Sequence, residues 1–154
     1  MTKDLVSSSI ARQNILNNTQ AVLEIQNAVG ITGIMFEGEY KFLKRQVADF
    51  FDVTERTIKI CITKNREELS KNGYESLTGK RLNLFKLSSQ NSFGREVYFP
   101  TKTTVLGIFN FRAFLNIAML LSNSEKAKQL RNVMLDITID FINRRTGGSA
   151  KYIN

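Results

Sequence analysis

Between Leu43 and Asn65 the chain reads LKRQVADFFDVTERTIKICITKN, and the spacing of its apolar residues admits few folds. Leu43, Val47, Phe50 and Phe51 recur at helical intervals, and Ala48 supplies the small side chain needed where a second helix crosses closely. Asp52 and Val53 break that period. Thr54 can cap a second helix through its hydroxyl, and on that helix Ile58, Cys61 and Ile62 repeat at three- and four-residue spacing. Two short helices joined by a tight turn are predicted, leaving Thr54, Glu55, Arg56, Lys59, Ile60 and Thr63 on the outward side. This is the pattern of a helix-turn-helix, in which the N-terminal part of the outward side, here the run Thr54 to Thr57, enters the major groove of DNA. A plain helical hairpin in a core carries the same period. Asp52 stands where such motifs usually have glycine, and aspartate tolerates the left-handed conformation better than most residues.

Charge is concentrated on the same stretch. The net charge is +8, and residues 41 to 95 hold twelve Lys and Arg against six Asp and Glu, leaving a net of only +2 elsewhere. Clustered positive charge attracts a phosphate backbone through Coulomb attraction and counterion release. Catalysis finds little support. With no His, no Trp and one Cys, the usual general base, the His-built nucleophile pairs and the common zinc spacings are missing. Neither a GxxxxGKS/T loop nor GxGxxG occurs. Asp136 and Asp140 share a helix face at i,i+4, where a solvated surface is favoured over a magnesium site. Cys61 lies in the apolar stripe and reads as a small buried hydrophobe.

The 154 residues suffice for one substantial domain, or a small one with an appended helical piece, and 11 Phe supply ample core material. No apolar run approaches the roughly 20 residues of a membrane span, and the N-terminus lacks the apolar run of a signal peptide. A cytoplasmic, nucleoid-associated protein is expected. An amphipathic helix is predicted from about Ser9 to Val29, packing on its own domain or against a second copy, so that residues 1–32 form an N-terminal helical segment. A hairpin with its turn at Glu37-Gly38-Glu39 follows. Beyond the reader, Glu67 to Leu69 extend the second helix until Asn72-Gly73 stops it. Leu82 to Leu87 and Val97 to Phe99 are short enough for strands, which gives either a wing carrying Lys80, Arg81, Lys86 and Arg95 or a solvated basic loop. From Thr104 the pattern turns helical. Val105 to Leu121 is apolar nearly all round and must be buried in a core or an oligomer interface. Ser122 to Glu125 reads as a capping box for a last helix from about Ser124 to Asn143, with Ala127, Leu130, Val133, Met134, Ile137, Phe141 and Ile142 on one face. Residues 104–145 thus form a C-terminal helical pair. The tail 146–154 reads as flexible, and as the join to a longer protein.

The run RAFLNIAMLLSNSEKAKQLRNVMLDI behind a helix-turn-helix and a small hairpin resembles the prophage and mobile-element regulators grouped around RhuM-type proteins and the Bro-N or antirepressor domains. The residues that carry the likeness are Arg112, Ala113, Leu115, Ile117 to Leu121, Ser124, Ala127 and Arg131, within roughly residues 33 to 143. The resemblance implies a DNA-binding module that is often the front end of a larger protein.

The fold expected is α+β and mostly helical, a winged helix-turn-helix-like core over residues 33–103 with small hairpins and flanking amphipathic helices. The function expected is sequence-specific binding of double-stranded DNA, as a homodimer, in transcription regulation, without cofactor or metal. Arg56 and Lys59 lead the candidate contacts. Thr54, Glu55, Thr57, Ile60 and Thr63 shape the same surface, Lys64 and Arg66 hold phosphates, and Lys80 and Arg81 do so from the wing. The alternative is an antirepressor-type protein-interaction or oligomerisation module, or the targeting end of a larger effector or toxin-antitoxin protein.

Overall fold

A two-residue turn begins the sheet. Strands β1 (Ile34–Phe36) and β2 (Glu39–Leu43) pair antiparallel with Phe36 opposite Glu39, so Glu37 and Gly38 alone make the turn. Both have positive φ, 53° and 84°, the combination that matches the right-handed twist of the flanking strands. The hairpin predicted there is present, with Glu39 already in β2. The computed structural model describes residues 5–93 and 103–145, and its class is α+β with one four-stranded antiparallel sheet.

The strand order is β1-β2-β4-β3, where β3 is Tyr74–Thr78 and β4 is Val105–Phe109. Two expectations fail here. Val105 to Phe109 is an interior strand, not the start of a helix. Its adjacent residues Ile108 and Phe109 point to opposite faces and are both buried, so the strand lacks the alternation of a half-buried one and its apolar run reads like a buried helix. Gly107 belongs to this strand because a Cβ there would meet the Tyr74 side chain on the neighbouring β3. Leu82 to Leu87 is the reverse case. It lies inside helix α6 (Gly79–Phe93), which turns Leu82 and Phe85 into the core formed with Ile34, Phe36, Leu77 and Ile108. Leu84 and Leu87 face outward, so four apolar residues in six positions fit either period and only the sheet beneath selects the helix. The proposed strand Val97 to Phe99 lies outside the described residues.

Contacts group Ile31–Ile117, which carries the sheet, into one compact unit. A second unit joins the chain up to Gly30 with Ala118 onward. In it the expected single N-terminal helix is two, α1 (Ser9–Leu16) and α2 (Thr19–Val29). Asn18 causes the break, its side chain accepting from the Ala21 amide at 3.1 Å and so starting a new helix. Gly30 ends α2 in the left-handed conformation. Helix α7 (Phe111–Leu120) runs from the first unit into the second, and α8 (Glu125–Arg145) packs on α2. The cap of α8 is Ser124, whose Oγ accepts from the Ala127 amide at 3.1 Å, and not Ser122 as the capping box suggested. Ala127, Leu130 and Met134 are buried as expected, whereas Val133 and Ile142 are exposed. Among the described residues, no helix is long and apolar enough to cross a membrane.

Candidate nucleic-acid interface

The first helix of the predicted pair is α3 (Lys44–Phe51), which starts directly from β2. Gln46 fixes its entry by accepting from the Leu43 amide at 2.8 Å. Asp52 stops it, with φ 56° and ψ 47°, while the Val53 amide donates to the Ala48 carbonyl at 3.0 Å. That bond across the left-handed residue closes the helix end and sets the tight turn. Aspartate therefore occupies the conformation that glycine usually fills.

The second helix, α4 (Glu55–Lys64), begins where Thr54 Oγ1 accepts from the Thr57 amide at 3.1 Å. Glu55 in its first turn and Lys64 in its last both suit the helix dipole. Ile58, Cys61 and Ile62 are buried and α4 packs on α3, whose buried residues are Val47, Ala48 and Phe51. Helix α5 (Arg66–Lys71) follows after a break at Asn65, so the expected extension of α4 is a separate short helix.

Two features seat this pair on the sheet. Phe114 of α7 meets four rings, stacking on Phe51 at 5.1 Å and on Phe111 at 5.6 Å, and meeting Phe42 of β2 at 5.4 Å and Phe50 at 5.1 Å. A buried polar chain then ties α5 to α7. Arg112 donates to Asn72 Oδ1 (3.0 Å), Asn72 Nδ2 to Asn116 Oδ1 (2.9 Å), and Asn116 Nδ2 to Glu68 Oε2 (2.7 Å). The two ends fix every orientation between them, because a guanidinium only donates and a carboxylate only accepts.

Helix α4 packs on α3 and α5, with its other face turned outward. One stripe at i, i+4 and i+7 contains Arg56, Ile60 and Thr63, all exposed, with Lys59 and Lys64 exposed on either side. None of the three cations forms an ion pair among the described residues. Thr54 and Glu55 are exposed at the helix start and Thr57 is half-buried, its amide committed to the cap. Arg66 is exposed at the start of α5. Sequence reasoning missed Lys44 and Arg45. Arg45 Nε lies 3.7 Å from Glu55 Oε2, which sets a cation of α3 beside the first turn of α4 and offsets the one acid there. The pair was visible in the sequence, where Lys44 and Arg45 open the predicted first helix.

Lys80 and Arg81 lie on a helix and not on the strand or loop of a wing. Both sit in the first turn of α6, and Arg81 is held by two carboxylates, Glu37 of the hairpin turn at 2.6 Å and Glu75 of β3 at 2.9 Å. Those hydrogen bonds, Glu75 first and Glu37 second, raise the Arg81 pKa, and the Arg81 hydrogen bond holds the Glu37 carboxyl below its usual value. Lys41 is similarly taken up, buried against Glu39 at 2.8 Å. Part of the charge excess seen in the sequence is therefore neutralised within the fold. No family model, no curated protein and no solved structure matches this chain.

Proposed function

We propose that this chain is a sequence-specific double-stranded DNA-binding protein, a transcriptional regulator of prophage or mobile-element type that acts without cofactor or catalysis and inserts α4 into the major groove. The observation that carries the reading is the outward face of α4, where Arg56, Lys59 and Lys64 stand exposed without ion-pair partners among the described residues, on a helix that follows a tight left-handed turn. Arg56 is the candidate base reader, since arginine binds guanine O6 and N7 in a bidentate manner. Lys59, Lys64 and Arg66, with Lys44 and Arg45 from α3, approach phosphates. One copy reads few base pairs, so a homodimer on a palindromic site is the natural way to gain affinity.

Selection of bound sequences from a random DNA pool tests this. An enriched palindrome supports reader and symmetry together, and Arg56→Ala then costs about 1–3 kcal/mol on the selected site with less effect on random DNA. A pool without enrichment overturns the reading. One observation favours the antirepressor-type interaction module instead: α8 exposes Ile139 and Ile142, each about half accessible. Salt separates the two, because DNA affinity falls steeply with added salt and an apolar protein contact does not.

A further inference from the structure

Resting on the assignment of α4 as the groove-facing helix, the geometry points to Ile60 as a second sequence-determining residue, which recognises the C5-methyl group of a thymine about two bases from the guanine bound by Arg56. Ile60 is 42% exposed, at the centre of the outward stripe and between cations, while the other three aliphatic or thiol side chains of α4 are buried. An aliphatic side chain at that position has one apolar counterpart among the base edges of the major groove, the thymine methyl. Thr63 continues the same surface. Its Oγ1 donates to the Lys59 carbonyl at 3.0 Å, so its only hydroxyl proton is spent within the helix and its γ-methyl remains as contact surface.

The spacing fits. Arg56 and Ile60 are four residues apart, about 6 Å along a helix axis at 1.5 Å per residue. Successive bases on one strand rise about 3.4 Å, so a helix lying along the groove brings the two side chains over bases roughly two steps apart. A site with guanine and, about two positions away, thymine is expected, with adenine, cytosine and uracil all lacking the group that Ile60 meets.

Replacing each thymine of the selected site in turn by deoxyuridine removes the methyl and leaves every base-pair hydrogen bond intact. At one position in each half-site the full chain should bind about fourfold more weakly, the equivalent of one methyl group lost from an apolar contact. Ile60→Ala should bind the thymine and uracil sites alike at that position, while Arg56→Ala should keep the discrimination and lose preference for guanine. Ile60 is exposed, so its substitution leaves the core intact, and an unchanged circular dichroism spectrum checks this. Equal binding of thymine and uracil at every position, on a site still bound selectively, overturns the role of Ile60 and leaves the DNA reading standing. A random pool that yields no enriched site overturns both.

Discussion

The rings of Phe51 and Phe114 stack at 5.1 Å between centroids with 22° between planes, joining the last turn of α3 to the middle of α7. Phe114 is wholly buried and also touches Phe42, Phe50 and Phe111, so one side chain joins α3, β2 and α7. Phe114→Ala should destabilise by about 3–5 kcal/mol, because the neighbouring rings cannot all close on the space left behind. Urea unfolding followed by circular dichroism measures this, and a loss under about 1 kcal/mol would mean that α3 is held by its other contacts.

Asp52 supplies a local test of the turn. At φ 56° an L-residue is in a conformation that costs roughly 1–2 kcal/mol, aspartate somewhat less. Asp52→Gly should therefore leave stability unchanged or raise the unfolding midpoint, whereas Asp52→Val should lower stability by about 1–2 kcal/mol. A valine variant as stable as the parent would show that the turn relaxes into another conformation.

This residue also shows where the sequence was legible. The pair α3 and α4, the Thr54 cap and the turn at Glu37-Gly38 could be read because each depends on local chemistry: a hydroxyl cap, a left-handed residue, a three-four repeat. Leu43, expected on the first helix, instead ends β2. Val105 to Phe109 and Leu82 to Phe85 could not be read, because the identity of each depends on partners distant in sequence. Val105 pairs with Thr78, and Leu82 packs with Ile34 and Ile108. Charge followed the same division. Arg56 and Arg81 look alike in the sequence, yet only the fold brings Glu37 and Glu75 onto Arg81. The break at Asn17-Asn18 was within reach, since Asn18 is a good cap residue, but the apolar period runs through it.

The Glu37 to Arg81 link should respond to acid. The Glu37 carboxyl is held below its usual value, chiefly by the Arg81 hydrogen bond, so its contribution is present above the ordinary carboxylate range and disappears as pH falls through the lowered folded value. Wild-type melting temperature should therefore fall on acidification through that window more steeply than that of Glu37→Gln, which has no proton to take up there. Near neutral pH the variant should melt slightly lower, because an exposed pair contributes little. Parallel acid profiles for the two proteins would place the acid sensitivity elsewhere.

Arg81 and Lys64 should differ in the salt dependence of DNA binding. Each phosphate contact releases condensed counterions, and loss of one lowers the slope of log affinity against log salt by about one. Lys64 is exposed at the end of α4 without an ion-pair partner among the described residues, so Lys64→Ala should weaken binding on every sequence and reduce the slope by about one for each bound subunit, about two for a homodimer. Arg81 is committed to Glu37 and Glu75, and a phosphate would have to displace two carboxylates to reach it. Arg81→Ala should leave the slope unchanged and act instead on the melting temperature, since the hairpin turn loses its tie to α6. Titrations of the three proteins against one duplex at several salt concentrations provide the comparison. An equal drop in slope for both variants would return Arg81 to the DNA-contacting surface and show that its carboxylate partners give way on binding.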